Sequence, residues 1–255
     1  MTSLSGTLCH ATLDTIVERG VLTEVTGADG GPLHELTSSA FGPEAGVGEV
    51  RVFHGDTIAK VVYVGIVVPQ IGMDSHMVFA FAPAETPIPH FTLDSVEAGG
   101  HHAFHLDLIQ RVDVATHMVY NDWAHTPLTE TFEHVLQMDG LEKADLQPRQ
   151  LSVMSPWMLA SRITPEAFPS LDAPVGSYLD HWFSLVESAV PAEVTADVAD
   201  VDLAVRDARN RSLLFSRDVD KVWGQIERLL GPEQTEFVRL TLVDNTLPAI
   251  EGASA

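Results

Sequence analysis

The chain has 255 residues, of which 36 are acidic and 14 basic, giving a formal net charge of −22 at pH 7. Nucleic acid and anionic membrane are excluded as expected partners, because both would be repelled by such a charge. The single cysteine, Cys9, excludes a disulfide framework and a thiolate metal site. The N-terminus lacks the basic start and apolar run of a signal peptide, so we expect a cytoplasmic protein.

The first half of the chain is predicted to be mainly β-structure. Apolar residues at helical spacing predict a helix over residues 4–21, and the Gly-, Ser- and Pro-rich segment 26–48 is predicted as loop. Patterns typical of strands then follow one another. The five predicted strands cover residues 48–53, 58–68, 76–81, 90–98 and 101–114.

The second half is predicted to be mainly helical. Segment 151–162 is predicted as a further strand or a buried extended segment, and residues 247–255 as a frayed tail. The predicted helices cover residues 121–138, 176–190 and 201–243, the last with a break at Gly231-Pro232.

This order of elements indicates a fold class. A run of strands followed by a run of helices favours an α+β fold over an alternating β-α pattern. Because helices lie at both ends of the chain, both faces of the sheet can be covered. We therefore predict one domain over residues 1–255, a three-layer α/β/α sandwich with a central, largely antiparallel sheet of sequential strands. The chain contains no GxGxxG or P-loop motif, either of which would indicate a bound nucleotide.

Three polar side chains in the predicted strands could form a row. Gly99-Gly100 suits a two-residue hairpin turn, which pairs Asp94 with His105. A symmetric register across the longer connection, residues 82–89, places His76 opposite Asp94. A carboxylate between two imidazoles can be tuned for proton transfer near neutral pH. The alternative is a polar sheet surface that faces solvent.

A metal site is a further reading of these histidines. His101 and His105 would lie about 13 Å apart on a strand that rises ~3.3 Å per residue, too far to hold one ion together. We therefore predict no metal site.

The stretch HMVFAFAPAETPIPHFTLD, residues 76–94, resembles the ferredoxin-dependent bilin reductases and the related red chlorophyll catabolite reductases. SPWMLASR (155–162) and DKVWGQIERLLG (220–231) are similar to two later motifs of that family, in the same order. The resemblance spans about residues 50–245. It implies a tetrapyrrole held between the sheet and the C-terminal helices.

The resemblance also implies roles for single residues, and the strand geometry adds others. The residues expected to act in catalysis are His76, Asp94, Asp220 and, on geometry alone, His105. The residues expected to bind substrate are Arg162 and Lys221, at the propionates, with Thr92 and His90.

The implied activity is reduction of a linear tetrapyrrole, such as a biliverdin-like bilin or a chlorophyll catabolite. Single electrons from ferredoxin or a similar external donor would drive a radical mechanism, with protons from the His/Asp row and no tightly bound cofactor. An acidic donor would need a local basic patch, for which the candidates are Arg206, Arg209, Arg211 and Arg217.

Two alternatives stay open. One is a non-catalytic tetrapyrrole-binding protein on the same fold. The other is an unrelated α+β hydrolase or isomerase that uses the His/Asp row, although the chain contains no GxSxG nucleophile elbow.

Overall fold

The computed structural model describes residues 3–42 and 45–248, and most of the predicted tail, residues 249–255, lies outside this part of the chain. The strands within these ranges are β1 (Thr23–Val25), β2 (His34–Ser38), β3 (Ala45–His54), β4 (Lys60–Val68), β5 (Met73–Phe81), β6 (His90–Ala98), β7 (His101–Ile109), β8 (Leu141–Lys143) and β9 (Leu159–Ile163). These nine strands form one antiparallel sheet, in the order β1-β3-β4-β5-β6-β7-β9-β8, with β2 also paired to β3.

Helices precede and follow the β-meander, the sequential strands β3 to β7. The α-helices of the described residues are α1 (Leu4–Gly20), α2 (Met118–Ala124), α3 (Thr129–Val135), α4 (Pro148–Leu151), α5 (Asp172–Val186), α6 (Ala192–Asp197), α7 (Leu203–Leu214), α8 (Trp223–Leu230) and α9 (Pro232–Val243).

Helices cover both faces of the sheet, each over its own apolar core. On one face, which we call the N-terminal face because α1 covers it, α1 and α5 pack with Tyr63, Val78 and Leu93. On the other face, which we call the C-terminal face, the last three helices, α7, α8 and α9, pack with residues of β4 and β5, such as Val64 and Phe79. The two cores are separate because successive strand residues point to opposite faces. The predicted three-layer sandwich is confirmed.

Several predicted elements were wrong in detail. Part of segment 26–48 is strand, because it contains β2 and the start of β3. The helix predicted over 121–138 is broken between α2 and α3, where Pro127 stands. Proline inside a helix removes a hydrogen bond and clashes with the preceding turn. In segment 151–162 the strand begins only at Leu159. β1, β2 and β8 were missed, since three to five residues show little periodicity.

The two predicted registers had different outcomes. Asp94 pairs with His105 across β6 and β7, as the Gly99-Gly100 turn predicts. Across β5 and β6 the prediction was wrong by one residue, since His76 pairs with Ser95 and Met77 with Asp94. A shift of one residue moves a side chain to the other face of the sheet. The expected three-strand row is therefore absent from the described sheet.

Buried hydrogen bonds hold the loop that connects these two strands, residues 82–89. The Ala82 backbone N–H donates to Nδ1 of His90 over 3.1 Å, so the proton of this neutral imidazole is on Nε2. Nε2 in turn donates to Oδ1 of Asp207 on α7 over 2.6 Å. Arg111 donates to two carbonyls of the loop, over 2.8 and 3.0 Å. These contacts fix both the loop and the position of α7 above it.

Asp207 is the charged centre of this network. Its carboxylate lies 3.2 Å from Arg111 and 2.9 Å from Arg211, and all three side chains are fully buried. Burial alone would raise the pKa of Asp207, but the hydrogen bond from His90 and the two guanidinium charges lower it to about 2. The ionised carboxylate therefore stabilises the fold at neutral pH.

We expect Asp207→Asn to lower the free energy of unfolding by about 3–5 kcal/mol at pH 7, because two buried guanidinium groups lose their counter-charge. Since the folded pKa is depressed, this difference should be fully present above about pH 4 and shrink as the pH falls towards 2. Urea unfolding at several pH values measures it. Asp200→Asn, at an exposed position, is the matched control and should change stability by less than about 0.5 kcal/mol. A loss that is equally small for both variants would contradict the structural role of Asp207.

Candidate functional site

A cleft opens on the C-terminal face, between β4–β7 and the chain from α7 to α8. It has two adjoining parts, with cavity volumes of about 150 Å³ and 270 Å³. The residues that line both parts are Asp94, Val96, His105, Met154, Asp220 and Val222. We call the first part the tryptophan end, after Trp223, and the second the arginine end, after Arg162.

The tryptophan end is mainly apolar. Met77 and Phe79 of β5 form its floor, and Phe215, Trp223 and Ile226 close it from the helical side. No lysine or arginine belongs to the described lining of this end. Such walls suit a flat, conjugated, uncharged group.

The arginine end has polar side chains that the other end lacks. It is lined by Ser161 and Arg162 of β9 and by Gln150 of α4. Arg162 is exposed, and it is the one cation in the described lining of either part. In a chain with so few basic residues this position is suited to a carboxylate group of a ligand.

Two carboxyl groups meet at the junction of the two ends. Asp94 projects from β6, and Asp220 lies in the connection between α7 and α8. Burial and the nearby negative charge of Asp220 raise the pKa of Asp94 to about 7. Burial also raises the pKa of Asp220, against a hydrogen bond from the Val222 backbone N–H over 3.0 Å. Near neutral pH, Asp94 is therefore poised between its protonated and ionised forms.

His105 lies beside this pair. It is directly opposite Asp94 across β6 and β7, and directly opposed side chains on one face have Cβ atoms about 5 Å apart. Burial lowers the pKa of His105 to about 4, so the imidazole is neutral at pH 7. Its buried Nε2 has no hydrogen-bond partner among the described residues.

His76 is not part of the cleft, which corrects its predicted place in the row. Its side chain lies on the N-terminal face, where Nδ1 is 2.7 Å from the Tyr63 hydroxyl and Nε2 is 2.6 Å from Asp74. His10 of α1 contacts the same hydroxyl over 2.7 Å. Burial lowers the pKa of His76, although Asp74 acts in the opposite direction. The residue joins α1 to the sheet.

Three predicted substrate contacts also lie outside the cleft lining. His90 is held in the Asp207 network, and Thr92 is fully buried on the same strand. Lys221 is exposed, and although it follows Asp220 in the chain, its amino group is directed to the Arg217 carbonyl at 3.3 Å. Of the predicted substrate contacts, Arg162 alone is in the described lining.

The predicted basic patch is also reduced. Arg211 is fully buried against Asp207, and Arg217 forms an ion pair with Glu227. Neither side chain is therefore available as part of a free positive surface.

Sequence reasoning missed the apolar walls of the cleft. The predicted register, with His76 opposite Asp94, places Met77 and Phe79 on the other face of the sheet, an error that follows directly from the one-residue shift. Phe215 and Trp223 lie close to Asp220 in the chain. Because Asp220 was a predicted catalytic residue, its apolar neighbours could have been proposed as part of the cleft lining.

Two general features bear on the kind of site. No group of three or more His, Cys, Asp or Glu within residues 3–42 and 45–248 is placed to hold a metal ion. Over the same ranges, no helix combines the length and the apolar character needed to cross a bilayer.

Comparison with known proteins gives a relationship in three dimensions. No protein-family model matches the chain, and no curated protein matches it in sequence. The structure is similar to the crystal structure of phytochromobilin synthase from tomato, which was determined in complex with biliverdin. The TM-score is 0.71 over 94% of this chain and 82% of that chain, at 16% sequence identity. The chain has the phytochromobilin synthase fold. The fold implied by the sequence motifs is thus confirmed.

We expect Asp94→Asn to stabilise the protein at pH 7 and above and to leave stability unchanged near pH 4. The carboxyl ionises near pH 4 in the unfolded chain and near pH 7 in the fold, so between these values the folded state binds the additional proton. Stability contributed by this group therefore falls as the pH rises from 4 to 7, and the amide does not titrate. Thermal unfolding across this range, with Asp122→Asn as an exposed control, measures the difference. If Asp94→Asn and the wild-type protein were equally stable at every pH, the pKa of Asp94 would not be raised.

Proposed function

We propose that this protein is an oxidoreductase that binds a linear tetrapyrrole in the cleft and reduces it with single electrons from a ferredoxin-type donor. The observation that carries the proposal is the pair Asp94 and Asp220, of which Asp94 is partly protonated at neutral pH, beside an apolar wall. The shared fold supports it, because tomato phytochromobilin synthase was crystallised with biliverdin.

The two ends of the cleft match the two chemical parts of such a ligand. A linear tetrapyrrole has a conjugated apolar body and two propionates. The apolar side chains Phe79, Phe215 and Trp223 would contact the body, while Arg162 would bind a propionate at the other end. The carboxyl groups Asp94 and Asp220 would then lie between the propionate contact and the apolar wall.

Reduction of one double bond takes two electrons and two protons. Each electron added to the pigment makes it more basic, so a protonated carboxyl within reach can transfer its proton to the radical. Asp94, with a pKa of about 7, can give this proton and regain one from solvent. We propose that neutral His105, opposite Asp94, helps to orient this carboxyl, and that Asp220 serves the second proton transfer.

The electrons would come from an external donor such as ferredoxin, with no tightly bound cofactor. Because the chain is strongly acidic, an acidic donor needs local positive charge. Lys143 of β8 and Arg149 of α4 are exposed near the arginine end and form no ion pair among the described residues. We propose that the donor docks there rather than at α7.

The test is to mix the protein anaerobically with biliverdin and a reduced ferredoxin system and to follow the visible spectrum. Wild-type protein should shift the pigment spectrum on mixing and then convert it. Asp94→Asn and Asp220→Asn should each lower turnover by about 100-fold or more while the Kd for biliverdin changes little, because a general acid is lost. A spectral shift without turnover in wild type would instead favour a binding protein.

His76→Gln tests the observed register and is the matched control for Asp94→Asn. Because His76 faces away from the cleft, this variant should retain most of the wild-type turnover. A loss as large as that of Asp94→Asn would place His76 in catalysis and contradict the observed register.

The pH dependence gives an independent prediction. Since Asp94 must be protonated to donate, turnover should fall as the pH rises above about 7, approaching tenfold per pH unit. The residual turnover of Asp94→Asn should lack this decline. An unchanged decline in the variant would assign it to another group.

A further inference from the structure

Trp223 has a buried donor without an acceptor. The side chain is 5% exposed and lines the tryptophan end, yet its indole Nε1 has no hydrogen-bond partner among the described residues. A buried N–H left without a partner costs free energy, and folded proteins rarely retain one. The indole can only donate. A partner at this position must therefore bring an acceptor atom.

The other tryptophans with described indole contacts show the usual arrangement. Nε1 of Trp182 donates to the Pro89 carbonyl over 2.8 Å, and Nε1 of Trp157 donates to Thr129 over 2.9 Å. Both partners belong to the protein. Trp223 differs in lining the cleft, where a bound molecule can supply the acceptor.

The charges around Trp223 indicate which kind of acceptor fits. Its end of the cleft is lined by two carboxyl groups, Asp94 and Asp220, and by no described lysine or arginine. A ligand carboxylate there would be desolvated without a counter-charge, which is strongly unfavourable. A neutral carbonyl oxygen has no such penalty.

We infer that Trp223 is a specificity-determining residue whose Nε1–H donates to the carbonyl oxygen of a neutral terminal lactam ring of the ligand. This assignment, which rests on the proposed function, also orients the pigment. The terminal ring lies at the tryptophan end, between Phe79 and Trp223, and the propionates lie towards Arg162. Asp94 and Asp220 then flank the part of the pigment between them.

The first measurement uses unaltered protein with ¹⁵N-labelled tryptophan. The four tryptophans give four indole N–H signals, and Trp223→Phe identifies the one that belongs to Trp223. Saturation with biliverdin should move this signal downfield, as expected when an N–H gains an acceptor. A signal that stays in place while biliverdin is bound would overturn the assignment, whatever the variants do.

The second measurement compares affinities for biliverdin and for its dimethyl ester, which keeps the lactam carbonyls but has no carboxylates. Trp223→Phe keeps most of the ring volume and should weaken binding of both pigments by the same factor, about two- to tenfold, the range for one neutral hydrogen bond. Arg162→Gln should weaken binding of biliverdin only. Trp157→Phe, outside the cleft, should leave both affinities unchanged.

The outcomes separate the two proposals. If wild-type protein binds neither pigment, the proposed function fails and the role of Trp223 fails with it. If wild type binds and Trp223→Phe binds equally well, the function stands and the Trp223 contact is wrong. If the effect of Trp223→Phe disappears with the dimethyl ester, the indole contacts a carboxylate, and the inferred orientation is reversed.

Discussion

The buried carboxylate of Asp207 joins parts of the chain that are far apart in sequence. It receives a hydrogen bond from His90 at the start of β6 and lies between the guanidinium groups of Arg111 and Arg211. Arg111 also binds the carbonyls of the 82–89 loop. A charge buried to this degree is tolerated only when it is fully paired, so the loop and α7 have little freedom to move independently. The loop held in this way connects β5 to β6, whose register sets the composition of the cleft floor.

The same register decides which chemistry the cleft can carry. Met77, not His76, lies opposite Asp94, so the imidazole on β5 is replaced by an apolar side chain. The one imidazole in the described lining is His105, on the other side of Asp94. Burial keeps His105 neutral and raises the pKa of Asp94, which leaves Asp94 as the proton donor best matched to neutral pH. The proposed acid chemistry would therefore depend on two carboxyl groups rather than on a His–Asp pair.

Charge is distributed unevenly along the cleft. Both carboxyl groups lie where its two ends meet, and the one lining cation, Arg162, lies at one end. In a chain of net charge −22, an anionic ligand is favoured only near such a cation. An apolar wall with a buried indole donor at the other end completes an asymmetric site. Under the proposed function, an asymmetric ligand would bind in one orientation, and few polar contacts would be needed to fix the position of its reacting atoms.

The sequence by itself determined the features that depend on neighbouring residues. Alternation gave the meander, the Gly99-Gly100 turn gave the pairing of Asp94 with His105, and the motif order indicated the fold. A two-residue turn permits only one register, so the local sequence is sufficient to predict the strand pairing there. The eight-residue connection before His90 allows several registers, and a shift of one residue reverses every side chain of a strand. The tertiary structure selects among them, through burial of alternate side chains in the two cores and through the buried contacts of the loop with Arg111 and His90. The meeting of Asp94 with Asp220, and the burial that raises the pKa of both, likewise required the packing of α7 and α8 on the sheet.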